Sequence, residues 1–165
     1  MNKQRNYSKT GRITQGAAIA ALYVALTMIV APIAFGPVQF RISEALCVLP
    51  YFLPSAVPGV TIGCFLANLL CGAAPLDVVF GSLATLIGAC GTYALRKHKW
   101  LAPLPPIVAN TIIVPFVLRY VYLAEGTIPF FMLTVGIGEV ISCYLLGSIL
   151  HRVLDRYKEH IFKED

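Results

Sequence analysis

The sequence predicts an all-α integral membrane protein with six transmembrane helices and both termini in the cytoplasm. Three observations predict it. The first is composition: 58% of the 165 residues are hydrophobic and 13% are charged, with a mean hydropathy of +0.75. A soluble domain is about one quarter charged, so this chain has too little polar surface to cover a water-facing sphere. A soluble enzyme, a disordered tail and a secreted disulfide scaffold are all disfavoured. The second observation is a series of charge-free runs: Ile13 to Phe40, Ala45 to Leu76, Val78 to Leu95 and Trp100 to Leu118, with Gly126 to Leu150 broken only by Glu139. About 20 apolar residues cross a hydrocarbon core of roughly 30 Å. The third is the placement of the 13 lysines and arginines.

The first run predicts one helix, 12–32, and then an extended loop through Gly36-Pro37. It starts too far from Met1 for a signal peptide, and no A-x-A cleavage site comes after it. The second run holds Pro50, Pro54, Pro58 and Gly59 in its middle, so it reads as one long kinked helix or as a hairpin. Charge decides between them. A hairpin of helices 44–56 and 58–72 puts eleven of the 13 basic residues in the cytoplasm and two, Arg41 and Arg119, outside. A single crossing would leave five inside and eight outside, against the positive-inside rule. The remaining helices fall at 77–95, 104–122 and 127–151. Helices two and three are short, ~20 Å at 1.5 Å rise per residue. Neighbours must therefore cover them, or they line a cavity or thin the bilayer. The chain reads as a single membrane domain, 1–165, with cytoplasmic tails at 1–11 and 152–165. No internal repeat supports an inverted-repeat transporter.

Small residues mark where backbones approach, since apolar burial drives nothing between helices in lipid. Ala17, Ala21 and Ala25 form one stripe of helix one. Gly59 and Gly63 form a GxxxG in helix three, and Gly81, Ala84 and Gly88 line helix four. Packing within the bundle is the default reading for such stripes. The helix-one stripe is the exception to watch, because that helix has little bulk to pack elsewhere.

Ionisable groups at membrane depth carry the chemistry. Each costs at least ~2.5 kcal/mol at a helix centre, so one without a use is hard to keep. Glu139 falls ~18 Å down helix six and Asn110 ~15 Å down helix five, counted from the outer side. Arg41, Glu44, Asp77 and Arg119 map to outer helix ends, with Asn68 a turn below. The polar groups thus converge on the extracellular half. Any single one could serve an interhelical hydrogen bond such as Glu139 with Asn110, or an interfacial ion pair such as Arg41 with Glu44. The set as a whole predicts a binding site. Acceptor-only carboxylates beside amides suit a planar ligand rich in N–H donors, or a cation. Tyr51, Phe52 and Phe65 are candidates to stack on a flat ring.

No catalytic motif appears: neither HExxH nor GxSxG, no Asp-rich metal motif and no Walker sequence. The histidines, His98, His151 and His160, are all placed in the cytoplasm. Five cysteines (Cys47, Cys64, Cys71, Cys90, Cys143) lie in apolar stretches without CxxC spacing and read as small core residues, not metal ligands. No enzyme, no metal and no cofactor within this chain are expected, and the net charge of +5 sits where it orients helices instead of binding nucleic acid. A transporter this small with no motor needs ion coupling or a partner. One reading is an ion-coupled exporter or antiporter with Glu139 as its proton site.

The segment Gly36-Pro-Val-Gln-Phe-Arg-Ile-Ser-Glu-Ala-Leu46 with Leu49-Pro50 resembles the signature of the QueT family. So do Gly63-Cys64 with Ala67-Asn68, Asp77-Val-Val-Phe-Gly-Ser-Leu-Ala-Thr-Leu86, and Gly138-Glu139-Val140-Ile141. The resemblance covers nearly the whole chain. It implies an S component, the substrate-binding subunit of an energy-coupling factor transporter, in the bacterial cell membrane. It also implies uptake of a queuosine precursor, a deazaguanine base such as queuine or preQ1, and partnership with a T component and two ATPase subunits that hydrolyse the ATP. On this view Ala17, Ala21 and Ala25 face the T component. The substrate would lie against Glu44, Asn68, Asp77, Asn110 and Glu139, with Arg41, Tyr51 and Phe65 nearby.

Overall fold

A computed structural model describes residues 9–31 and 40–161, with side chains to residue 157. The tail before Lys9, the loop through Gly36-Pro37 and residues 162–165 lie outside the described residues. Among the described residues the regular structure is helical throughout. Helix α1 is Lys9–Ile29, α2 is Ile42–Tyr51, α3 is Ala56–Leu70, α4 is Pro75–Ala94 and α5 is Leu104–Tyr120. The last helix, α6, continues through three segments: Ile128–Glu139, Val140–Leu146 and Gly147–Ile161. The long second run is two helices, broken between α2 and α3. By length and composition α1, α4 and Ile128–Tyr157 of α6 can cross a membrane, whereas α2, α3 and α5 are shorter apolar helices.

Three features depart from the expected regular bundle. Helix α2 is a 3-10 helix of 10 residues, well beyond the usual three or four. Pro50 explains the tightening. It has no amide hydrogen, and its ring crowds the carbonyl four residues back in an α-helix. Bonds to the third residue back close the ends instead, from Glu44 N to Arg41 O at 3.0 Å and from Phe52 N to Leu49 O at 2.9 Å. The second departure is a π-helical segment, Val140–Leu146, starting one residue after Glu139. The third is the end of the last helix: α6 stays helical to Ile161 and not only to 151, because its last turns carry basic residues on one face and apolar ones on another.

Helices α1, α3, α4, α5 and α6 pack in sequence, and α2 lodges among α1, α4 and α6. Every residue from Ser43 to Pro50 is buried there. Missing side chains make the seams of the regular helices. A Cβ on Gly59 would stand 2.9 Å from the Gly16 carbonyl oxygen, and one on Gly63 would stand 3.1 Å from the Ala20 Cα. A Cβ on Gly88 would reach 2.6 Å from the Cα of Pro106 at the start of α5. The GxxxG of α3 is thus absorbed inside the bundle. Ala17, Ala21 and Ala25 lie on another side of α1 and are exposed.

Candidate substrate site

The first turn of α2 carries Glu44 with Arg41 just before it, both buried. A carboxylate suits this position, since free N–H groups and the positive dipole end lie there. Helix α1 reaches it with residues one turn apart. The Tyr23 hydroxyl donates to Glu44 Oε1, and Thr27 Oγ1 donates to Ser43 Oγ at 2.8 Å. The Cys47 thiol donates to Glu44 Oε2 at 3.1 Å. From α6, Glu139 points into the same region and its Oε2 accepts from Cys143 Sγ at 3.3 Å. The same sulfur lies 3.4 Å from the Glu44 carbonyl oxygen. Asn110 of α5 faces Glu139.

A second group adjoins the first. Asn68 of α3 and Asp77 of α4 converge above Gly81, where a Cβ would meet Asn68 Nδ2 at 3.0 Å and Asp77 Oδ1 at 3.4 Å. The absence of a side chain at Gly81 leaves room for both. Tyr122, in the α5–α6 loop, donates to Asp77 Oδ2 at 2.8 Å and accepts from the Ala74 amide at 3.1 Å. Arg41 links the groups, since its guanidinium interacts electrostatically with Glu44, Asp77 and Glu139. Asn68 Oδ1, Asp77 Oδ1 and Ser142 Oγ are buried with no hydrogen-bond partner among the described residues. Buried polar atoms are ordinarily paired, so these are free to meet a ligand.

Six of the expected site residues, Arg41, Glu44, Asn68, Asp77, Asn110 and Glu139, are therefore buried and brought together. Two are not with them. Tyr51 packs edge-on against His151, with ring centroids 4.6 Å apart, and against Phe52 at 4.9 Å. Seven residues of 3-10 helix at ~2.0 Å rise carry it ~14 Å from Glu44. Phe65 is 42% exposed on the outer face of α3. Arg119 is on the rim, its Nη1 donating to the Ala124 carbonyl at 3.2 Å. The sequence reading missed Tyr23, Thr27, Cys47, Tyr122 and Cys143. A signal existed for three of them. Tyr23 and Thr27 are polar-tipped residues one turn apart, and Cys143 lies one turn after Glu139.

Glu44, Glu139 and Cys143 each present an oxygen or sulfur within 4.8 Å of the others, a set that could hold a metal ion. Mixed carboxylate and thiolate donors suit zinc. In the geometry observed, however, the thiols of Cys47 and Cys143 act as donors to the carboxylates. These donors take only part of the acceptor capacity of the two carboxylates, and the chemistry that remains is acceptance of N–H groups or of a cation.

Apolar helices of spanning length, closed around a buried polar core, define a membrane protein. A family model described as the QueT transporter matches residues 13–156, and the chain belongs to that family, a family of transporters and not of enzymes. The chain is also similar to the queuosine precursor transporter QueT of Lactococcus lactis subsp. cremoris (strain MG1363), at 44% identity over 82 residues. That stretch is 48% of this chain and 48% of the relative, so the match spans about half the length of the curated relative. No solved structure matches the chain.

Proposed function

We propose that the chain is the S component of an energy-coupling factor importer, which binds a queuosine precursor from outside the cell and delivers it inward. It would cross the bacterial cell membrane six times with both termini in the cytoplasm. A T component and two ATPase subunits would supply the motor, because the chain has no nucleotide-binding motif of its own. The observation that carries this reading is the convergence of Glu44, Asn68, Asp77, Asn110 and Glu139 from five different helices onto one buried cluster. A deazaguanine base has an N1–H and an exocyclic amine on one edge, and a carboxylate accepts both. The aminomethyl form adds a cation. The carboxyl groups of Glu44, Asp77 and Glu139 stand around the guanidinium of Arg41, and a cationic substituent would give them a further partner.

Calorimetric titration of the purified protein with a deazaguanine base tests the site. Glu44→Gln or Glu139→Gln keeps the volume but turns an acceptor into a donor toward the ligand's own N–H. Such a replacement should weaken binding by about 1.5–3 kcal/mol. Near wild-type affinity in both variants would make the carboxylates structural and the site wrong. The partner reading rests on the exposed stripe Ala17, Ala21 and Ala25. Ala21→Trp should leave the titration unchanged and abolish ATP-driven uptake, since a wide side chain blocks close helix approach. Uptake that survives this change would move the partner interface off α1.

A further inference from the structure

At its far end α6 presents a face that the proposed substrate site does not use. Ser148, His151, Arg152, Asp155 and Arg156 recur at helical spacing and share one side of the helix. Lys99 and Trp100 of the α4–α5 loop stand against them, and together these residues line a half-open cavity of about 220 Å³. Three permanent cations face one carboxylate there. The charge is arranged for an anion, and Ser148 adds a hydroxyl. Trp100 is 57% exposed and lies beside the Lys99 ammonium, 5.3 Å from ring centroid to nitrogen. Next to the basic face runs an apolar one: Ile149, Val153 and Tyr157 are exposed at successive turns. A basic recess, an interfacial indole and an adjoining apolar strip offer a head group and a tail their places side by side.

We propose that this recess binds the phosphate of an anionic membrane phospholipid, with the guanidinium groups of Arg152 and Arg156 and the ammonium of Lys99 on the phosphate oxygens and an acyl chain along Ile149 and Val153. Guanidinium forks match phosphate oxygens in pairs. The shared chemistry, a phosphate anion, could also come from free phosphate in solution. The apolar strip is what favours the lipid.

Trp100 is the single tryptophan of the chain, so its fluorescence reports on this recess alone. The full-length protein in neutral detergent micelles is titrated with phosphatidylglycerol or phosphatidylcholine carrying brominated acyl chains, which quench indole on contact. Brominated phosphatidylglycerol should quench at a lower mole fraction than brominated phosphatidylcholine. Arg152→Gln and Arg156→Gln should each shift the phosphatidylglycerol curve by roughly fivefold. Their response to phosphatidylcholine should not change, which shows that the fold and Trp100 are intact. Arg12→Gln, on α1, should keep the preference. Equal quenching by both lipids in the wild type would overturn the proposal, and so would a preference that survives in both arginine variants. If millimolar inorganic phosphate displaces the quencher, the occupant is free phosphate and the lipid assignment fails. None of these readings depends on the deazaguanine titration, so this proposal and the substrate site stand or fall separately.

Discussion

Helices α2 and α6 differ from α3, α4 and α5 in how they are held. The regular helices meet through absent side chains, as where Gly63 lies against Ala20 and Gly88 against Pro106. The irregular pair is held through polar contacts: Cys143 Sγ of α6 lies 3.4 Å from the Glu44 carbonyl oxygen of α2, and the Tyr23 hydroxyl of α1 donates to the Glu44 carboxylate. The first kind of seam has no chemistry to lose and little room to give. The second kind has room, and depends on donors and acceptors staying matched. Regular geometry therefore builds the frame, and departure from it carries the polar cluster.

The comparison can be broken at the α4–α5 seam. Gly88→Leu places a Cβ 2.6 Å from the Pro106 Cα, where neither backbone can yield cheaply. It should destabilise the protein by about 3 kcal/mol, seen as a lowered thermal midpoint and loss of a monodisperse gel-filtration peak. A wild-type melt would mean that the α4–α5 seam is loose. The polar seam should respond less. Tyr23→Phe removes one donor from the buried Glu44 and leaves the ring in place, which should cost about 1–2 kcal/mol. The deazaguanine titration should weaken along with the melt. An unchanged titration would separate Glu44 from the ligand. The smallest effect belongs to Gly136→Ala, whose Cβ would sit 3.5 Å from Thr111, an ordinary contact. It should change stability by less than about 0.5 kcal/mol, and a large loss there would show that all glycine positions are equally tight.

Much of the frame was legible because hydropathy and charge report on helix existence. The break between α2 and α3 came from Pro50, Pro54 and the basic-residue count. The GxxxG of Gly59 and Gly63 announced its own seam. The buried polar residues were legible for the same reason: Glu44, Asp77 and Glu139 are costly anywhere in an apolar run. The phase of the helices was not legible. Tyr51 was expected near the ring of a ligand because 44–56 was read as an ordinary helix, and 3-10 geometry places it beside His151 instead. Phe65 carries no signal that tells a lipid-facing aromatic from a stacking one. The cysteines read as small core residues, and Cys47 and Cys143 are buried and outside any disulfide. Their role as donors depends on which carboxylate stands opposite, which is tertiary information. Tyr122 reaches Asp77 across 45 positions of sequence, beyond any local pattern.

The π-helical segment Val140–Leu146 lies between Glu139 and the face that begins at Ser148. Each residue of an α-helix rotates the chain by about 100° around the helix axis, whereas wider π turns advance it through a smaller angle per residue. The segment therefore acts as a gear between two ends of one helix. It sets the direction in which Arg152 and Arg156 point relative to Glu139, without a hinge and without a break in the backbone hydrogen bonds. The number of residues between the two faces, more than their identity, fixes that angle.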